Sequence, residues 1–412
     1  EREWWEEAGE GVEDFAGEDV DATKYTHANA AAFAAEDEAA GAEPFEDDEF
    51  PPGPDALGIS VAKATRRVAE VGPGHRVDGW TRLSQVHESP CLFRNIAAED
   101  ITSEVSAVNR WFLCACATVA EYPAWIQSMF GRTTCLTPDG KYTVRLFHPG
   151  QRSFIKVVVD DYVPTQGKTP AFTGVTYEGE CWPGLIEKAF AKLCRSYKNM
   201  EWGTVAYGLL YLCGGGGAES WQKSRSGRWK RSYTVWKGKA ENTINRKRAE
   251  GMMQDGVEIE ADRLWNVIRE YMEFCYPVAC TVEKAMEKVC GLSSEWSFTL
   301  IAAREVQVGE QILRMVRLRN PFGVGEWRGR WSDKSKAWSD CPVAVNQLRF
   351  QPKDGSFWMA YSDFLKYFQQ VDMVRKSLPV QGCRNAIVDN LKKALVNREE
   401  SWWGRAGGEE EG

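Results

Sequence analysis

The side chains able to attack, move a proton or hold a metal are unevenly spread along this sequence. Four histidines stand at 27, 75, 87 and 148, and none follows. Twelve cysteines are scattered, with no CxxC pair and no Cys/His cluster at zinc-ligand spacing. They read as the reduced, mostly buried thiols of a cytosolic protein. Cys114 and Cys116 sit two apart, which no single helix face can accommodate, so both read as core. Asp160 and Asp161 form a carboxylate pair of the kind used in acid–base work. At a strand end such a pair reads instead as turn caps or arginine partners. Gly214–Gly217 lacks a following Lys-Ser or Lys-Thr and any GxGxxG spacing, so it reads as a flexible bend and not a phosphate cradle.

The elements that must position these groups follow from periodicity. WFLCACATVAEYPAWIQSM, 111–129, is apolar nearly all round and predicts a central buried helix, broken or kinked near Pro123. YTVRLFH and SFIKVVVDDYVP alternate on either side of Pro149-Gly150 and predict two strands within 141–164. WPGLIEKAFAKLCRSY, 182–197, carries apolar residues at 185, 186, 189, 190 and 193, an amphipathic helix. Helical patterns cover 263–274, 285–289 and 385–396, and strands cover 297–303 and 311–319. The last strand ends at Asn320-Pro321, because proline donates no hydrogen bond and favours extended geometry before it. Beyond it, Gly323 and Gly325 predict a tight turn crowded by Trp327, Trp331 and Trp338.

The 412 residues are enough for two or three domains, with an ordinary globular balance of 43% hydrophobic and 27% charged residues. The net charge of -8 gives no overall footprint for nucleic acid, and no apolar run is long enough to span a bilayer. Eighteen tryptophans point to large aromatic packing surfaces or partner contacts. Residues 1–44 are acidic and alanine-rich, either a disordered leader or a ribbon laid on a partner through Trp4, Trp5, Phe15 and Phe33. Between 223 and 248 lie ten Lys or Arg, one acid and the aromatics Trp229, Tyr233 and Trp236. This basic insertion reads as a solvated loop or as a docking site, with Lys230, Arg231, Trp229 and Trp236 as its contacts and an acidic protein surface as its partner.

Several motifs together resemble the calpain cysteine protease core. They are FEDDEFPP at 45–52, Trp80-Thr81-Arg82, VVVDD at 157–161, WPGLIEKAFAK at 182–192, RLRNPFG at 317–323 and FWMAYSDFLKYF at 357–368. The resemblance implies an α+β, two-lobed papain-like fold: a helical first lobe over 45–203 and a strand-rich second lobe over 204–375, followed by a helix and acidic tail over 376–412. In that family the nucleophile immediately precedes W-F-L within G-x-x-G-D-C-W-F-L. Here Arg110 stands at that position, with Val105 and Val108 in place of the glycines. The oxyanion glutamine would fall near Ser103 or Glu104. The family's histidine, in G-L-V-x-G-H-A-Y-S-V, aligns with Trp296. Asn320 alone remains of the triad.

Arginine has no lone pair to donate and indole cannot take up a proton, so this pattern implies a catalytically dead relative. With the cleft so filled, the guanidinium of Arg110 is expected to stack on the Trp296 indole. Glu326, Asp333 and Asp354 match a second-lobe calcium set, weakened by Ser356 where a further glutamate is usual, with turn capping as the other reading. Lys198 replaces the first-lobe calcium glutamate. Calpain-like proteins without the triad occur in protist flagella and cytoskeletons. The resemblance therefore implies a structural subunit of a large assembly containing tubulin or axonemal proteins, located on the cytoskeleton or in a cilium. The alternatives are a calcium-responsive, non-proteolytic regulator and, third, an active calcium-dependent cysteine protease.

Overall fold

The computed structural model describes residues 44–59, 69–72, 75–98, 101, 109–215, 217–236, 250–294, 296–321, 327–348 and 355–379. The helix predicted at 385–396, the leader, the acidic tail and the glycine turn at 323–325 lie outside them. The first lobe is built on α1 (Arg110–Ala120), in which every residue from Phe112 to Ala120 is buried. A helix apolar on all sides can only be central. The predicted kink is a full break: α1 ends at Ala120 with Glu121 as its cap, and Pro123 opens α2 (Pro123–Met129), where its missing N–H costs nothing. α4 (Val205–Cys213) packs along α1, and α3 (Trp182–Leu193) meets it where the Phe190 ring stacks on Phe112 at 4.1 Å. A Cβ on Gly208 of α4 would lie 2.5 Å from the Ala115 Cβ, so this glycine permits the close crossing of α4 on α1. The predicted strand pair is present. β2 (Lys141–His148) and β3 (Ser153–Asp160) run antiparallel, from Lys141↔Asp160 to His148↔Ser153. β1 (Gly79–Arg82) pairs with β4 (Tyr162–Gln166).

Asp160 and Asp161 are structural, as their position implied. Asp161 takes the Arg82 guanidinium at 2.5 Å and the Ser84 hydroxyl at 2.9 Å. Asp160 holds the buried Lys188 ammonium and accepts the backbone N–H of Asp47 at 2.9 Å. This network ties the entry segment and α3 to the β2–β3 hairpin.

The bend predicted at 214–217 turns the chain into the second lobe, with Gly214, Gly215 and Gly217 at φ 67°, 108° and 136°, where other residues are strained. Among the described residues an eight-stranded antiparallel sheet follows. Its strands are β5 (Ala218–Lys223), β6 (Trp229–Trp236), β7 (Glu250–Ile259), β8 (Val278–Val282), β9 (Ser297–Val308), β10 (Gln311–Arg319), β11 (Ser356–Ala360) and β12 (Phe368–Val374). Their order is β7-β6-β5-β12-β8-β9-β10-β11. α5 (Ala261–Glu273) lays Leu264, Trp265, Ile268 and Tyr271 into the core with Trp221, Val371 and Met373. α6 (Tyr361–Tyr367) adds Phe364. A smaller core gathers Trp331, Trp338, Trp358, Met315 and Val306. Trp331 sits at φ 71°, held against Trp338 in an edge-on contact at 4.9 Å.

One expectation is corrected here. The stretch read as a solvated basic loop contains β6, hydrogen-bonded between β5 and β7. Strand alternation puts Trp229 on the core side, where it is fully buried, so it is a packing residue and not a docking contact. Residues 237–248 of the stretch lie outside the described residues.

Candidate active site

α1 begins at the junction of the lobes. Asn109 immediately precedes it and is buried; its side-chain amide donates to the Glu187 carboxyl on α3. Arg110 is the first helical residue. Across the junction Trp296, half-buried, leads into β9. The Arg110 guanidinium carbon lies 4.4 Å from the centroid of the Trp296 indole. The expected cation–π contact is present, of a kind worth about 0.5–2 kcal/mol according to its desolvation.

That contact heads a seam running down one face of α1. One turn below Arg110, the Cys114 sulfur accepts the Ser297 N–H at 3.3 Å. One turn further, the Thr118 and Thr299 hydroxyls meet at 3.1 Å. At the foot, Glu121 binds Arg319 at 2.5 Å. The spacings 110, 114, 118 and 121 follow the helical repeat, so a single stripe of α1 meets the start of β9 and the end of β10. Asn320 follows β10 and is 2% exposed. The pairing Thr299↔Arg319, extended by one residue, sets Asn320 opposite Phe298, two residues from Trp296. Arg110, Trp296 and Asn320, the three positions that the motif spacing singled out, thus lie around one junction, and their side chains are a cation, an indole and an amide. Ser103 and Glu104 lie outside the described residues.

Burial pushes the Cys114 thiol up to about 12, so at neutral pH it is not a thiolate. Burial raises Cys116, Cys213 and Cys280 in the same sense. His87 and His148 use their Nδ1 atoms to accept the N–H groups of Ser89 and Gln151, each at 3.1 Å, as local turn caps. His75 lies in a short strand, His75–Val77, and His27 lies outside the described residues.

The Asn109–Glu187 contact, the hydroxyl pair and the Glu121–Arg319 bridge were not anticipated. Their signal was Cys114, Thr118 and Glu121 at helical spacing within an otherwise apolar helix. Burial drives Glu187 up to about 8, against the hydrogen bonds from Asn109 and Thr173. The unfolded chain therefore ionises Glu187 near the ordinary value of 4.5 and the folded chain near 8. Between these values the folded state holds the extra proton, so stability falls as pH rises through the window, by up to about 1.4 kcal/mol per pH unit from this group. Glu187→Gln keeps the acceptor for Asn109 and is expected to flatten that slope. Denaturant titrations at pH 5, 6.5 and 8 check it, and an unchanged slope would contradict it.

Of the expected calcium set, Asp333 is described, while Glu326 and Asp354 lie outside the described residues. Ser356 accepts the Arg317 guanidinium at 2.7 Å. Among the described residues no group of three His, Cys, Asp or Glu could hold a metal ion. Of the expected docking set, Lys230 is bound to Glu258 at 2.8 Å. Arg231, on the opposite strand face, stacks near Trp221 and Tyr233 at 5.9 and 5.8 Å. Trp236 ends β6 opposite Glu250.

Residues 45–375 match the family described as calpain family cysteine protease. This chain belongs to the calpain family. Its α+β core of two packed lobes is that expected from the sequence motifs. The chain is similar to the calpain-type cysteine protease DEK1 of Arabidopsis thaliana, with 27% identity over 82% of this chain and 14% of that protein. It is also similar to the calpain-1 catalytic subunit of Bos taurus, with 26% identity over 80% of this chain and 41% of that protein. The chain therefore spans less than half the length of these relatives. In this calpain-family core, the junction that joins the lobes is occupied by Arg110 and Trp296.

Proposed function

We propose that this calpain-family protein is inert as a cysteine protease and acts by binding, as a structural or scaffolding subunit of a cytoskeletal or axonemal assembly. The observation that carries the reading is the Arg110–Trp296 stack at the head of α1. A permanently protonated guanidinium cannot attack a carbonyl, and an indole cannot relay its proton. The buried Cys114 thiol one turn below offers no substitute. The seam beneath the stack supports a core kept as a rigid body and not as a cleft that opens to substrate. The cytoskeletal setting, with tubulin or axonemal proteins as partners, rests on family analogy.

Affinity purification of the tagged full chain at gentle salt tests the setting. Co-purification with tubulin or ciliary components supports it; recovery as a lone monomer moves the reading to a calcium-responsive regulator. The two also differ in heat stability. For the scaffold, millimolar calcium is expected to leave the melting temperature unchanged. For the regulator, calcium at 100 times its dissociation constant adds about 2.7 kcal/mol, a rise of several degrees.

A further inference from the structure

The sheet order gathers cations that stand far apart in the sequence. β6, β5, β12 and β8 are successive neighbours. At one end of these four strands lie Arg225 and Arg228 in the β5–β6 turn, Lys366 just before β12, and Lys284 and Lys288 just after β8. Backbone and side-chain contacts fix the grouping. The Glu283 N–H donates to the Tyr367 carbonyl at 2.8 Å, and the Lys223 ammonium to the Lys366 carbonyl at 3.4 Å. At about 4.8 Å between strands, the row spans about 14 Å.

Arg225, Lys284, Lys288 and Lys366 are exposed. Among the described residues Arg225, Lys284 and Lys288 meet no carboxylate within ion-pair distance. Asp363 lies close enough to Lys366 for their charges to interact, and three other described carboxylates here face cations outside the set. Glu260 binds Arg228 at 2.7 Å, Glu258 binds Lys230 at 2.8 Å, and Glu283 faces Lys223 at 4.0 Å. Val289, 65% exposed, sits beside Lys288. Uncompensated positive charge of this kind stands out on a chain whose net charge is -8.

We propose that this end of the sheet docks an acidic polypeptide segment of a partner protein, its carboxylates set against Arg225, Lys284, Lys288 and Lys366 and an aliphatic side chain against Val289. The proposal rests on the binding role given above and names the chemistry of one partner.

The probe is a fluorescein-labelled oligoglutamate peptide, read by anisotropy with the full chain. Binding is expected to weaken steeply as salt rises from about 50 to 300 mM. Lys284→Glu with Lys288→Glu is expected to weaken it about tenfold or more. Lys156→Glu with Lys168→Glu, equally exposed on the first lobe, serves as the control and is expected to leave it intact. Melting curves matching the wild type confirm that both variants fold. Absence of binding, or equal loss in both variants, overturns the proposal. So does binding that emerges only when the carboxylates of residues 1–43 are replaced by amides, since the chain's own leader would then be the occupant. Peptide hydrolysis measured in the same samples keeps the outcomes apart. A failed docking site leaves the protein inert, whereas turnover overturns the functional reading itself.

Discussion

Lys188→Met is expected to destabilise the fold by about 3–5 kcal/mol, a large share of the stability of a typical domain. The Lys188 and Asp160 side chains are both fully buried and bound to one another. The ammonium also donates to the Tyr162 carbonyl at 2.6 Å. Burial pulls the Lys188 ammonium below its ordinary range, and Asp160 opposes that pull. Without the lysine, Asp160 keeps only the N–H groups of Asp47 and Tyr162, at 2.9 and 2.7 Å, and remains a buried carboxylate with no cation in contact. Removing both charges leaves no such orphan, so Lys188→Met with Asp160→Leu is expected to recover much of the loss. Denaturant unfolding of the two variants decides the matter; a double variant no more stable than the single one would contradict it.

The second large effect concerns reactivity. Arg110→Cys combined with Trp296→His is expected to create a thiol that iodoacetamide labels at pH 6. An ordinary thiol, titrating at about 8.5, is less than about 1% thiolate there. The first residue of α1 lies at the positive end of an eleven-residue helix, which favours a thiolate. The introduced imidazole would stand in the place of the indole that now covers the Arg110 guanidinium, with Asn320 retained at the end of β10. The single Arg110→Cys variant should label more slowly. Peptide hydrolysis is not expected to follow, because the motif spacing sets Val105 and Val108 where the resemblance implies glycines. Peptide mapping after brief labelling reads the result. Labelling no faster than at exposed Cys135 would show that the junction no longer supports a thiolate.

Much of this was legible in the sequence wherever local periodicity and side-chain chemistry agree. α1 declared itself by being apolar all round, and Pro123 marked its break. The β2–β3 hairpin alternated on either side of its turn, and Asp160-Asp161 stood where a strand ends. The Arg110–Trp296 stack was legible through motif spacing, which put both residues at one junction. What stayed hidden was non-local. The polar stripe of α3, Glu187, Lys188 and Lys192, looks like a solvated face. Glu187 and Lys188 are buried and Lys192 partly so, because Asn109, Asp160 and Asp47 come to meet them from other elements. The basic run at 223–248 looks like a loop by charge count, although the alternation of Trp229, Arg231 and Tyr233 is that of a strand. The adjacency of β5, β12 and β8, separated by many tens of residues, has no local signal at all. The cation row at their ends was for that reason invisible.

On the proposed reading, the Arg110–Trp296 junction performs no thiol catalysis. The most direct test treats the full chain with a thiol-directed peptidyl epoxide, with and without calcium, and reads intact mass and peptide maps. The account predicts no stoichiometric adduct at any single cysteine and no calcium-dependent change in labelling. One adduct per chain, confined to one cysteine, promoted by calcium and abolishing a measurable peptide hydrolysis, would contradict it.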